Sequence, residues 1–104
     1  VIKMYIVDST VVVPEDKIDE LIGIYQNRSR QVDEQPGFIK FELLQNDKKP
    51  HELTVHTIWE TKQDYLNWAR SEQFKQIHEL EKNYPDQELA QIVPKVYRYK
   101  VVAT

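Results

Sequence analysis

With 104 residues, 40% hydrophobic and 30% charged, the chain has the size and composition of one folded domain spanning 1–104, and is too short for two. A formal net charge of -3 with no basic block excludes nucleic acid as the main partner, because phosphate neutralisation needs clustered Lys and Arg. The lack of cysteine excludes disulfides, thiolate nucleophiles and Cys-based metal sites; no apolar run approaches the ~20 residues of a membrane span, the N-terminus carries no secretory cleavage pattern, and a cytoplasmic location is expected.

Ile2 to Val13 predicts a β-strand apolar on both faces. Ile2, Met4 and Ile6 point one way, and Tyr5, Val7, Val11 and Val13 the other. Helices can cover one of these faces, and a second subunit is the economical cover for the other. Asp8, Ser9 and Thr10 interrupt the run, either as a bulge or twist or as a polar contact planted in a pocket. Pro14 opens a helix, with Glu15 and Asp16 at the positive end of its dipole. Ile18, Leu21, Ile22 and Tyr25 fall on one stripe, which Val32 can extend, and Gln35-Pro36-Gly37 ends the element.

Phe38 to Gln45 is the second predicted strand, with Phe38, Lys40, Glu42 and Leu44 on one face and Ile39, Phe41 and Leu43 on the other. A polar loop, Asn46 to His51, joins it to a third strand, Glu52 to Glu60, as an antiparallel hairpin. Thr61 and Asp64 then have capping-box spacing, and Ser71 offers a second N-cap. Two short helices follow with a kink between them, carrying Tyr65, Trp68 and Ala69, then Phe74, Ile77, His78 and Glu81. Asn83-Tyr84-Pro85-Asp86 closes the element, Gln87 to Gln91 reads as a polar linker, and Ile92 to Val102 is the last strand. The order β-α-β-β-α-β predicts an α+β, ferredoxin-like fold with an antiparallel sheet and two helices on one face.

The two glycines, Gly23 and Gly37, leave no phosphate-cradling loop, and no serine sits in a nucleophile elbow. His51, His56 and His78 lack zinc-ligand spacing. His78 lies one turn beyond Phe74 on an otherwise apolar face. It is either a boundary histidine at the edge of a core or an imidazole offered to a pocket as an axial ligand or acid/base group. Trp68 is likewise either a core anchor or a site residue. On a straight helix the two would lie roughly 80° apart, and a kink at Arg70-Ser71 can turn both toward one cavity.

The run IWETKQDYLNWARSEQFKQIHE resembles the corresponding segment of IsdG-type haem-degrading monooxygenases, within the antibiotic biosynthesis monooxygenase superfamily. The resemblance extends through Pro36-Gly37-Phe38, the strand ending in Trp59, the Trp68, Phe74 and His78 spacing, and the final strand. It implies a homodimer whose sheets pair into a dimeric α+β barrel, with haem as both substrate and cofactor. It implies that His78 ligates the iron, that Trp68 presses on the porphyrin, and that Phe74 shares the pocket. The family's first-strand Asn aligns with Ser9, beside Asp8; serine donates a hydrogen bond with a shorter reach and no amide.

Three functions follow. The first is haem binding with oxidative ring opening, using Ser9, Trp68 and His78, dioxygen and an electron donor. The second is a cofactor-independent monooxygenase acting on a quinol-like aromatic, with Trp68, Phe74 and Tyr65 as a slot and His78 or Asp8 as base. The third is a dimeric small-molecule-binding protein without chemistry.

Overall fold

Four strands pair into one antiparallel sheet, and the helices collect on one side of it. In chain order the elements are β1 (Tyr5–Val12), α1 (Ile18–Gln26), β2 (Phe38–Gln45), β3 (Glu52–Trp59), α2 (Lys62–Ala69), α3 (Glu72–Lys82), a single turn α4 (Gln87–Ala90) and β4 (Lys95–Lys100). The sheet order is β2-β3-β1-β4, the ferredoxin-like arrangement expected from the element order. The computed structural model describes residues 4–82 and 84–104, apart from the side chains of Glu81 and Ala90. Ile2 of the predicted first strand, Asn83 of the predicted helix stop and the Glu81 side chain of the predicted stripe therefore lie outside the described residues.

β1 runs in unbroken register against both neighbours, Ser9 opposite Val55 of β3 and Val96 of β4. Of the two readings of Asp8-Ser9-Thr10, a bulge is absent, because all three residues keep their ladder partners. The register shift occurs in β2 instead, between Phe38 and Lys40. It separates two residues that simple alternation assigns to one face: Phe38 pairs with Trp59, Lys40 with Ile58. Phe38 thus joins the core and meets the Trp59 ring edge-on at 5.4 Å.

Two core clusters lie under the helices. One gathers Tyr5, Val7, Val32, Trp59 and Trp68, with Phe74 and Ile77 of α3 packed against it. The other gathers Val13, Leu53 and Leu89, with Ile18, Leu21 and Ile22 of α1. Trp59, only 1% exposed, donates its indole N–H to Thr57 Oγ1 at 3.2 Å, and Thr57 donates to the Val7 carbonyl at 3.2 Å.

Three further expectations are corrected. The first helix does not continue to Val32. Asn27 stops it by donating its side-chain amide to the Gly23 carbonyl, and Arg30 turns left-handed at φ 61. Val32 then sits, buried, in a separate 3-10 turn over Gln31–Glu34. Gln87 to Gln91 is not a plain linker. Asp86 accepts from the Glu88 and Leu89 amides and caps α4, which buries Leu89. The last strand is shorter than predicted and exposed along its length on both faces.

Candidate active site

The site begins at Ser71, which ends one helix and starts the next. Its hydroxyl donates to the Trp68 carbonyl at 2.7 Å and accepts from the Phe74 amide at 3.2 Å. One residue thus closes α2, caps α3 and fixes the kink between them. Upstream, Thr61 Oγ1 accepts from the Asp64 amide at 3.1 Å and starts α2 as its spacing predicts. The kink brings the three predicted helical residues into one contact chain. The Trp68 and Phe74 rings meet edge-on at 5.7 Å, and the Phe74 and His78 rings lie 4.2 Å apart, tilted by 35°.

The ends of that chain differ. Trp68 is 7% exposed and closed into the first core cluster. His78 lies at the surface, with one flank against Phe74. Among the described residues, α3 rests on the first core cluster through Phe74 and Ile77. Tyr65, one turn before Trp68, lies within ring-contact distance of Tyr5 and Trp59. Burial pushes its phenol up from its ordinary range, an effect the Arg98 charge partly offsets.

Strand parity decides the first-strand candidates. Ser9 shares the helix-facing side with Tyr5 and Val7, and with Val55 in the paired strand. It lies at the seam between the cluster under α2 and α3 and the cluster under α1. Asp8 points to the opposite face, so it cannot serve as the base of a slot formed by Trp68, Phe74 and Tyr65. There it meets His56, whose Nδ1 lies 2.5 Å from Asp8 Oδ1. Sequence reading missed this pair because β1 and β3 are 48 residues apart at this rung; alternation places each residue on a face but gives no register.

A groove of about 410 Å³ opens between α1 and the sheet at the β2 end of the seam. Tyr25, Phe41, Leu43 and Leu53 line it, and Arg28 and Arg30 stand at its mouth. Phe41 belongs to one core cluster and Leu43 and Leu53 to the other, so the groove bridges both. Its size is within the range of small-molecule sites. No three His, Asp or Glu side chains converge to hold a metal ion among the described residues. A single imidazole suits an iron that arrives with four macrocycle nitrogens, and that donor set is what the chain presents. Phe74 occupies one flank of His78 and packs in turn on the buried Trp68, so a porphyrin on that flank would need α3 to move outward.

An antiparallel four-stranded sheet with this order and one helical layer defines a ferredoxin-like α+β protein. Residues 4–80 match the antibiotic biosynthesis monooxygenase family, and the chain belongs to it. A haem-degrading monooxygenase from Bacillus thuringiensis subsp. konkukian is 34% identical over 85 residues, covering 80% of this chain and 78% of that one. Among solved structures, the haem degrader MhuD from Mycobacterium tuberculosis, described with two haems in its active site, superposes with a TM-score of 0.74 at 22% identity, covering 97% of each chain. A conserved protein from Methanosarcina mazei Go1 superposes at 0.71 with 19% identity, over 94% of this chain and 92% of that one. The fold is common to this chain and the two solved structures.

Proposed function

We propose that this family member is a haem-binding monooxygenase that opens the porphyrin oxidatively, using dioxygen and an external electron donor, with residues 1–104 acting as one domain. The observation that carries this reading is the contact chain Trp68–Phe74–His78, which runs from the core beside the Ser9 seam to a single surface imidazole. The curated relative at 34% identity, a haem-degrading monooxygenase, supports it.

In this reading His78 holds the iron through a neutral imidazole nitrogen, and the Phe74 ring against it restricts its rotation. Trp68 provides a broad apolar face for the porphyrin, and Ser9 offers an O–H donor from the sheet side. Haem, when bound, supplies both the redox centre and the ring to be opened. Two copies of the chain pair through the open sheet face into an α+β barrel, in the cytoplasm, where reductant is available.

A haem titration tests the assignment. A Soret shift is expected for the parent protein, and His78→Ala abolishes it; no shift in the parent sinks the proposal. With haem bound, loss of Soret absorbance under dioxygen and reductant reports turnover, and Ser9→Asn is expected to raise its rate.

A second reading has its own support. The 410 Å³ groove is sized for a small aromatic, although it is lined by Tyr25, Phe41, Leu43 and Leu53 and not by the expected slot of Trp68, Phe74 and Tyr65. A cofactor-independent monooxygenase acting on a quinol-like substrate predicts dioxygen uptake with small quinols in haem-free protein. A dimeric binding protein without chemistry predicts ligand binding with neither uptake nor haem turnover.

A further inference from the structure

A rung of ionisable groups crosses the open face of the sheet. Across β2, β3, β1 and β4, Glu42 pairs with His56, His56 with Asp8, and Asp8 with Tyr97. His56 Nδ1 lies 2.5 Å from Asp8 Oδ1, and the two side chains are only 20% and 24% exposed. Glu42, the carboxylate on the other side of His56, is held by Lys40 at 3.2 Å. Lys95, opposite Thr10, and Glu52, opposite Val12, stand one and two rungs further along the same face. The charges at the centre therefore depend on one proton. Lys40 and Glu42 cancel. A protonated His56 cancels Asp8, and a neutral His56 leaves Asp8 uncompensated. Because Nδ1–H is given to the Asp8 carboxylate, Nε2 is the nitrogen that gains or loses that proton.

We infer that the open face is a proton-linked interface between two copies of this chain, in which His56 carries a proton so that Asp8 is covered as part of a neutral pair. The inference rests on the proposed pairing of two copies through this face and is independent of haem. In a single copy, water solvates the extra charge left by a neutral His56. A two-fold contact lays the same patch on itself and brings two such charges into one interface, away from water. There an unpaired charge is costly to bury, and the two repel each other. With both imidazoles protonated, each face offers its partner two balanced pairs, Lys40 with Glu42 and His56 with Asp8. Assembly thus favours the protonated imidazole. Its contribution is present on the acid side of the ordinary histidine range and is lost as pH rises through it.

Equilibrium sedimentation of the full chain at about pH 5.5 and about pH 8, either side of the ordinary histidine range and at one ionic strength, tests this. The parent dimer is expected to be at least about tenfold tighter at the lower pH. His56→Gln keeps an N–H for Asp8 but does not titrate, and its dimer is expected to be equally tight at both pH values. Asp8→Asn removes the charge that calls for the proton, and is expected to reverse the dependence, with the tighter dimer at the higher pH. His51 and His78 are unchanged in both variants, and a purely structural role would alter affinity without altering the sign of its pH dependence. A parent dimer that is no tighter at the lower pH, or acid-side tightening that persists in either variant, overturns the proton linkage alone. A parent protein that is monomeric at both pH values overturns the dimer and this inference together.

Discussion

Trp68 carries two demands at once. As a core residue it closes the first cluster, and as a proposed porphyrin contact it must turn part of its face outward. Trp68→Ala is expected to cost roughly 3–5 kcal/mol in urea unfolding, from lost burial and the cavity left behind. Trp68→Phe is expected to cost less and to fold, so its haem spectrum isolates the contact from the packing. Gly37 is a second residue where geometry leaves little freedom. Its φ is +79, and a Cβ there would lie 2.1 Å from Asp64 Oδ2 and 2.6 Å from Asp64 Cβ. Asp64 belongs to the first turn of α2, so the neighbour cannot simply rotate away. Gly37→Ala is expected to destabilise by roughly 1–3 kcal/mol, read as a lower urea midpoint at unchanged slope.

Among the helices, α3 is lightly held. It meets the core through Phe74 and Ile77, and its capping hydroxyl comes from Ser71. Few buried apolar contacts mean a low local opening free energy. Its amides are therefore expected to exchange faster than those of β1 and β3, and to slow when haem binds. Equal protection in the haem-free protein would contradict a helix that opens to admit a porphyrin. At the other end, Lys17 and Asp86 form an ion pair that ties the start of α1 to the cap of α4. The hydrogen bond from Lys17 is the main reason that Asp86 titrates below the usual carboxylate range, and the same bond raises Lys17. The signs agree. The Asp86 contribution is present above the ordinary carboxylate value and is lost as pH falls through the lowered folded one. The Lys17 contribution is present below the ordinary lysine value and is lost as pH rises through the raised one. Thermal midpoints are expected to fall on acidification below about pH 4, and Asp86→Asn to flatten that limb.

The molecule as a whole is a two-layer slab, 20 Å across its shortest dimension. Helices cover one face of the sheet and leave the other open. On the open face Ile6 pairs with Ile58, Asp8 with His56 and Thr10 with Thr54, flanked by Tyr97 and Tyr99, each about half exposed. The Thr10 and Thr54 hydroxyls bond at 2.9 Å and His56 Nδ1 bonds Asp8 Oδ1, so each of these four side chains at the centre of this face already has one partner. A second copy can therefore cover the face without stranding those groups. Equilibrium sedimentation is expected to give a dimer. Ile58→Glu is expected to yield monomers that still shift the Soret band, because the haem site is proposed on the other face. A monomeric parent protein would remove the barrel from the proposal.

Much of the fold is legible in the chain itself. The Phe38 to Gln45 strand, the Thr61 and Ser71 caps and the placing of His78 one turn beyond Phe74 depend on contacts within one strand or one helical turn. Such contacts leave periodic and capping signals in the sequence. What tertiary structure alone decided depends on register and on backbone reversals. The opposite orientations of Asp8 and Ser9 needed the pairing of strands some 48 residues apart. Phe38 entered the core because of a register shift that alternation cannot anticipate. Val32 is buried because Arg30 reverses the chain in a left-handed turn. That reversal sets Arg30 beside Arg28 and Asp33 at the mouth of the groove. No spacing pattern records this cluster, because a reversed backbone and the Phe41 ring of another strand hold it together.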